Sequence, residues 1–241
     1  MNQNILRRLF RIINRFNPIK KSLQNKFNLP FKFVKNEWYV NERIVEIPFV
    51  LNHLELDGKG RRVLEFGCAR SYLAIQLASL GYKVVAIDLE DYRYRHPNLK
   101  FHKINIFDFN DDIGFDYITA VSIIEHIGLG TYGDKPSFDD IFRISTKLSE
   151  LVKPEGLIII TVPFGKKFVN NFYRSFTHDE VRSLFKDKNL KLVEEQYFRR
   201  KQYKYWRKCD LEEALSISNT PEDRGLTGMN CVGCFIWKKI S

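Results

Sequence analysis

Three short stretches of the chain combine residue types that can do chemistry. The first is Glu65-Phe-Gly-Cys-Ala-Arg-Ser71, where Gly67 lets the backbone approach a ligand and the helix that follows offers unpaired amides. The second is Asp88, a carboxylate closing the apolar run Lys83-Val-Val-Ala-Ile-Asp88 and placed to accept both hydroxyls of a ribose. The third is Glu125-His126, an acid beside an imidazole that titrates in the useful range, directly after the apolar run Phe115 to Ser122. The first two point to an adenosine-containing cofactor. The third points to proton transfer, with His126 as candidate base and Glu125 orienting it or binding substrate; the bland alternative is a loop histidine bonded to backbone or lining the cofactor pocket.

Such residues need a scaffold that gathers them at one edge. Arg62 to Phe66, Lys83 to Asp88, Phe115 to Ser122 and Leu157 to Val162 are runs of apolar residues without regular alternation, so strands covered on both faces are expected, with a further strand at Leu99 to Ile106. Ser71 to Leu80 reads as an amphipathic helix stopped by Gly81, and Thr177-His-Asp-Glu180 as a capping box opening another. Leu190 to Tyr197 and Cys231 to Lys238 read as the last two strands. Strands alternating with helices predict an α/β, doubly wound, mostly parallel sheet, whose ligands bind beyond the carboxyl ends of the strands. The expected organisation is a basic amphipathic extension over 1–36 and one domain over 37–241, with an insertion at about 198–230.

An adenosine cofactor leaves a nicotinamide enzyme and a methyltransferase open, and the glycines discriminate. A dinucleotide needs a Gly-x-Gly-x-x-Gly turn for its pyrophosphate, whereas only Gly67 is present here, with Ala69, Arg70 and Tyr72 where room would be required. The segments VLEFGCARSYLA, VVAIDLEDY, FDYITAVSIIEHIGLGTYGD and LVKPEGLIIITVPFG, in that order, resemble the Rossmann-like (class I) S-adenosylmethionine-dependent methyltransferases, especially bacterial ones with a Glu-His-Ile-Gly-Leu-Gly-x-Tyr-Gly-Asp segment. The resemblance covers roughly residues 40 to 240 and implies a seven-stranded sheet with an antiparallel last strand and S-adenosylmethionine as cofactor. It further implies that Glu65, Gly67, Cys68 and Ala69 flank the methionine part, that Asp88 and Leu89 hold the ribose, that Asn105 and Ile106 border the adenine, and that Ser122 lies beside the sulfonium. Three positions depart from the family: Ala69 and Ser71 replace glycines, and Asn105 replaces an acid, with Asp108 as its rival.

On the acceptor side, Tyr132 and Asp134 lie in the glycine-rich loop after Glu125-His126, and Arg174 and His178 follow the Leu157–Val162 strand together with Lys166, Lys167, Asn171 and Tyr173. Trp38, Tyr39, Arg43 and Glu46 precede the sheet and read as a lid, with plain packing favoured for Trp38. The formal charge of +10 implies an anionic partner. Ile5 to Phe16 interleaved with arginines forms a basic amphipathic helix that either lies in an anionic membrane interface or covers its own core. Arg199 to Lys208, with Tyr203, Tyr205 and Trp206, has the composition of a surface that stacks bases, but equally suits a lipid headgroup or a sugar phosphate.

The expected reaction is transfer of a methyl group to an oxygen of a carbohydrate or of a nucleotide- or lipid-linked sugar. RNA is the rival acceptor, and a cofactor-dead adaptor the rival outside enzymology. Methylation of a base amine is disfavoured, because an Asn/Asp-Pro-Pro-aromatic loop is replaced by Glu125-His-Ile-Gly. Cys231-Val-Gly-Cys234 resembles half a zinc site without a second half, so buried thiols are expected there and no metal; Asp139 and Asp140 remain a minor divalent-ion option. Four cysteines and no leader pattern predict a reducing cytoplasm, at the inner membrane face if the amino-terminal helix binds lipid.

Overall fold

The computed structural model describes residues 31–34, 37–130, 137, 139–186, 189–201, 205–221 and 229–241, with backbone only before Val40. The basic amphipathic helix expected over residues 4 to 27, and both Tyr132 and Asp134, lie outside the described residues. The chain enters through an antiparallel hairpin, β1 (Phe31–Val34) and β2 (Glu37–Val40), so a division at residue 36 falls within this hairpin. Helix α1 (Arg43–Asn52) follows, then β3 (Arg62–Phe66), α2 (Leu73–Ser79) and β4 (Lys83–Asp88), the first parallel crossover. Strands β5 (Leu99–Lys103) and β6 (Phe115–Val121) come next, then α3 (Asp140–Leu151) and β7 (Val152–Pro163). A two-residue pair, β8 (Phe168–Val169) and β9 (Arg174–Ser175), precedes α4 (His178–Ser183). The chain ends in β10 (Leu190–Lys201), β11 (Tyr205–Cys209), α5 (Leu211–Ser216) and β12 (Cys231–Lys239).

The main sheet has the order β11-β10-β12-β7-β6-β3-β4-β5. Strands β5, β4, β3, β6 and β7 pair in parallel, and β12 inserts antiparallel between β7 and β10. The fold class expected from the sequence is the one observed. The sheet has eight strands rather than seven because β11, inside the expected insertion, turns back on β10 with Arg199 opposite Arg207. No helix joins β4 to β5 or β5 to β6; Leu89 to Asn98 is polar and carries Pro97, which suits an irregular connection.

The sheet is covered on both faces. Ile118, Ile158 and Ile160 pack with Ile144 and Leu148 of α3, Val181 of α4 and Ala214 of α5 on one side. Val63, Val84 and Ile159 pack with Phe49 and Val50 of α1 and with Leu73 and Leu77 of α2 on the other. Strand β12 shows the alternation that this requires: Cys231, Phe235 and Trp237 belong to the first side, Val232, Cys234 and Ile236 to the second. Cys231 and Cys234 therefore face opposite sides of the sheet and cannot share one ion; both are buried free thiols.

Candidate active site

The carboxyl ends of β3, β4 and β6 converge on a cavity of about 240 Å³, lined by Gly67, Asp88, Leu89, Asn105, Ile106, His126 and Gly128, with Phe66, Ile104, Phe107, Ile123, Ile127 and Asp140 completing it. Gly67 adopts φ 85°, and a Cβ there would come within 2.6 Å of Ile123 Cγ1, so the turn after β3 requires glycine. The two lost glycines cost the backbone little, because neither Ala69 nor Ser71 is among the residues with positive φ. Asp88 organises the turn: its Oδ2 accepts from the Ala69 amide at 2.8 Å and its Oδ1 from the Glu90 amide at 2.9 Å. A carboxylate held by two amides presents its remaining lone pairs in a fixed direction.

Cys68 is fully buried beneath the turn, where burial pushes its thiol far above the ordinary range, and it does not line the cavity. Asn105 lines the cavity, with its Oδ1 accepting the Phe107 amide at 3.1 Å. Its rival Asp108 is exposed and does not line it.

A second group lies under α1. Ser122 closes β6 with φ 46°, a strained conformation for a residue with a side chain. It is held there by three contacts: its amide donates to the Thr161 carbonyl at 3.0 Å and to Thr161 Oγ1 at 3.2 Å, and its hydroxyl donates to Glu46 Oε1 at 2.6 Å. Glu46 has no exposed surface and also accepts from Thr161 Oγ1 at 2.8 Å and from Arg43 Nη1 at 2.9 Å. Arg43 donates further to the Val121 carbonyl at 3.1 Å. The lid expected from Arg43 and Glu46 is thus a buried clamp on the end of β6. Glu46 sits within the apolar run Ile44-Val-Glu-Ile47, and a lone carboxylate in such a run is itself a signal of a paired buried charge.

Glu65 and Glu125 flank this clamp. Each is 2 % exposed, and each has an Oε2 that is buried with no hydrogen-bond partner. Burial pushes both carboxyls up to about 8; at Glu65 a hydrogen bond from Ser71 opposes this, and at Glu125 the Glu46 carboxylate adds to it. Unfolded, both would titrate near 4.3. The folded protein therefore holds protons that the unfolded chain loses between these values, so the contribution of this pair is most favourable below pH 4 and is lost as pH rises through 8. We expect the thermal midpoint to fall between pH 6 and about 8.5, and to fall less in Glu65→Gln/Glu125→Gln; equal slopes in the two proteins would contradict the assignment.

His126 lines the cavity, its Nδ1 lying 2.5 Å from the Phe172 carbonyl. A carbonyl only accepts, so Nδ1 carries a proton; Nε2 is 4.0 Å from Glu125 Oε1. Arg174 ties β9 to the same turn by donating to the Ile127 carbonyl at 2.7 Å. His178 lies away from the cavity lining and meets Glu195 at 3.1 Å, while Lys167 pairs with Glu180 at 2.7 Å. The capping box expected at Thr177 is present.

In the basic aromatic segment Tyr203 lies outside the described residues and Tyr205 is exposed, while the arginines and Trp206 have partners within the protein. Arg199 and Arg207 both meet Glu213, Arg200 is buried with its Nη2 donating to Asn230 at 2.7 Å, and Trp206 Nε1 donates to the Val40 carbonyl at 3.0 Å. Among the described residues no group of three or more His, Cys, Asp or Glu side chains could hold a metal ion, and no helix is long and apolar enough to cross a membrane.

The cavity fits an adenosine group. Leu89, Ile104, Ile106, Phe107 and Ile123 supply apolar walls suited to a flat ring and Asp88 a fixed acceptor pair, while Glu65, with its unpartnered Oε2, is buried behind the turn and does not line the cavity.

Comparison with known proteins gives the same direction. A family model described as "Methyltransferase domain" matches residues 3–219. A Mycobacterium tuberculosis protein described as a "probable S-adenosylmethionine-dependent methyltransferase" is 22% identical over 184 residues, covering 70% of this chain; the chain spans 61% of the length of that relative. Among solved structures, the Burkholderia thailandensis 1,6-didemethyltoxoflavin-N1-methyltransferase with bound 1,6-didemethyltoxoflavin and S-adenosylhomocysteine is 16% identical with a TM-score of 0.56, over 81% of this chain and 77% of that one. A Methanosarcina mazei S-adenosylmethionine-dependent methyltransferase is 15% identical with a TM-score of 0.57, over 80% of this chain and 97% of that one.

Proposed function

Because the chain belongs to the methyltransferase-domain family, we propose that it is an S-adenosylmethionine-dependent methyltransferase acting on an oxygen of a small polar acceptor, a carbohydrate or a nucleotide- or lipid-linked sugar. When bound, S-adenosylmethionine supplies a methyl group on a sulfonium for direct displacement by a nucleophile. In this reading Asp88 and Leu89 hold the ribose, Ile106 and Phe107 border the adenine, and Glu65 with the Gly67–Ala69 turn receives the methionine part. Ser122, clamped by Glu46, closes the cofactor site at the end of β6.

One observation carries the acceptor class. His126 stands at the cavity with a proton on Nδ1, engaged by Phe172, which in the neutral ring makes Nε2 the basic nitrogen. A hydroxyl nucleophile must lose its proton as it attacks, and an imidazole with this tautomer accepts it. Glu125, whose Oε1 lies 4.0 Å from Nε2 and whose carboxyl is kept protonated at neutral pH by burial, flanks the ring on that side. Arg174, which holds the Ile127 carbonyl beside His126, supplies a cation for a phosphate or sugar, and Tyr132 and Asp134 follow His126 in the same connection.

RNA is the weaker reading, since three of the arginines and the indole that favour it are engaged by Glu213, Asn230 and the Val40 carbonyl. An inactive adaptor is likewise weakened by the intact turn geometry at Ala69 and Ser71. The test is transfer of labelled methyl from the cofactor to nucleotide sugars, glycolipids and RNA in parallel. We expect label on a sugar-containing acceptor; label on RNA alone, with binding that weakens steeply as salt rises, would overturn the proposal.

A further inference from the structure

The adenine end of the cavity holds a feature that no sequence motif announced. Two carboxylates line the cavity, Asp88 and Asp140, and the second comes from the first turn of α3, far along the chain from the other lining residues. Asp140 is only 7% exposed. Its Oδ1 accepts from Arg143 Nη1 at 2.7 Å, and the Arg143 guanidinium stacks 4.3 Å from the centre of the Phe107 ring. Phe107 is followed back to Asn105 by the bond from its amide to Asn105 Oδ1. Asp140, Arg143, Phe107 and Asn105 thus form one continuous set joining α3 to the loop after β5 across the cavity. Gly128 makes the approach possible: a Cβ there would meet the Ser137 carbonyl at 2.1 Å and Asp140 Cβ at 3.3 Å.

An adenine presents an exocyclic amino group, and burying it demands an acceptor. The amide oxygen of Asn105 already serves the Phe107 backbone, and Asp108 is outside the cavity, whereas Asp140 lines it and has a second carboxylate oxygen besides the one that Arg143 holds. We infer that Asp140 is the residue that selects adenine: its carboxylate accepts the exocyclic amino group, while Arg143 fixes the carboxylate and holds Phe107 as the wall against the ring. The inference rests on the cofactor assignment and adds to it the group that reads the base.

Calorimetric titration of the full chain with S-adenosylhomocysteine and with S-inosylhomocysteine, in which the amino group is replaced by an oxygen, reads this directly and requires no acceptor. The unmodified protein should prefer the adenosyl compound by about tenfold or more, the effect of one charge-assisted hydrogen bond exchanged for a repulsive pair of acceptors. Asp140→Asn, which can donate to the replacement oxygen, should weaken the adenosyl compound about tenfold and bring the two compounds within about threefold of each other. Arg143→Ala should weaken both compounds by the same factor and leave the preference intact, which separates base reading from damage to the wall. Preference unchanged in Asp140→Asn but lost in Asn105→Ala would overturn the inference and leave the cofactor assignment standing. Binding of neither compound by the unmodified protein would overturn both.

Discussion

Alanine at Glu46 should cost the ligand-free protein about 3–5 kcal/mol of stability, the penalty for breaking a buried ion pair by removing one partner. For a chain of this size that is a fall of roughly 10 °C in thermal midpoint. The reason is the number of groups that one carboxylate satisfies: Ser122 Oγ, Thr161 Oγ1 and Arg43 Nη1 all donate to it. Without it, two buried hydroxyls lose their acceptor, the Arg43 charge keeps no close counterpart, and the positive φ of Ser122 is less firmly held. Glu46→Gln keeps an oxygen for both hydroxyls and gives up only the charge, so it should fall between the two, nearer the unmodified protein. Differential scanning calorimetry distinguishes these cases. A loss below about 1 kcal/mol in Glu46→Ala would show that water replaces the carboxylate and that α1 does not clamp β6.

The second large effect concerns Asp88. Asp88→Ala should weaken S-adenosylhomocysteine by at least about 100-fold, since two hydrogen bonds to a charged group are each worth about 1.5–3 kcal/mol and 1.4 kcal/mol is tenfold in affinity. Part of the loss is indirect, because the Ala69 and Glu90 amides lose their acceptor and the turn after β3 loses its tie to β4. Asp88→Asn retains one acceptor oxygen and should lose about tenfold. Unchanged affinity in Asp88→Ala would mean that the ribose is held by another residue.

Much of this architecture was legible in the sequence, and for a physical reason. Strands covered on both faces are written as unbroken apolar runs, so Arg62–Phe66 and Lys83–Asp88 were read with the observed boundaries, and Thr177 opened α4 with the capping box its side chains encode. Gly67 and Asp88 were readable because a left-handed turn and a strand-ending carboxylate are local features. What escaped depended on pairing across the chain. Strand β11 was hidden because Tyr205 to Cys209 has charged residues on an edge strand and no apolar run to mark it. The charge of Arg199, Arg200 and Arg207 reads as available to a nucleic acid because nothing local in the sequence marks Glu213 and Asn230 as its partners. Asp140 and Glu46 reach their partners from α3 and α1, and no spacing within one motif reveals such a meeting.

The site assignment stands on one claim, that the cavity at the ends of β3, β4 and β6 receives an adenosyl sulfonium cofactor. Calorimetric titration of the full chain with S-adenosylmethionine, S-adenosylhomocysteine and NAD tests it most directly. Saturable binding of both adenosyl compounds in the micromolar range, with no heat from NAD, is the predicted result, because the turn that carries Ala69, Arg70 and Tyr72 leaves no seat for a pyrophosphate. Binding of NAD, or of none of the three, would contradict it.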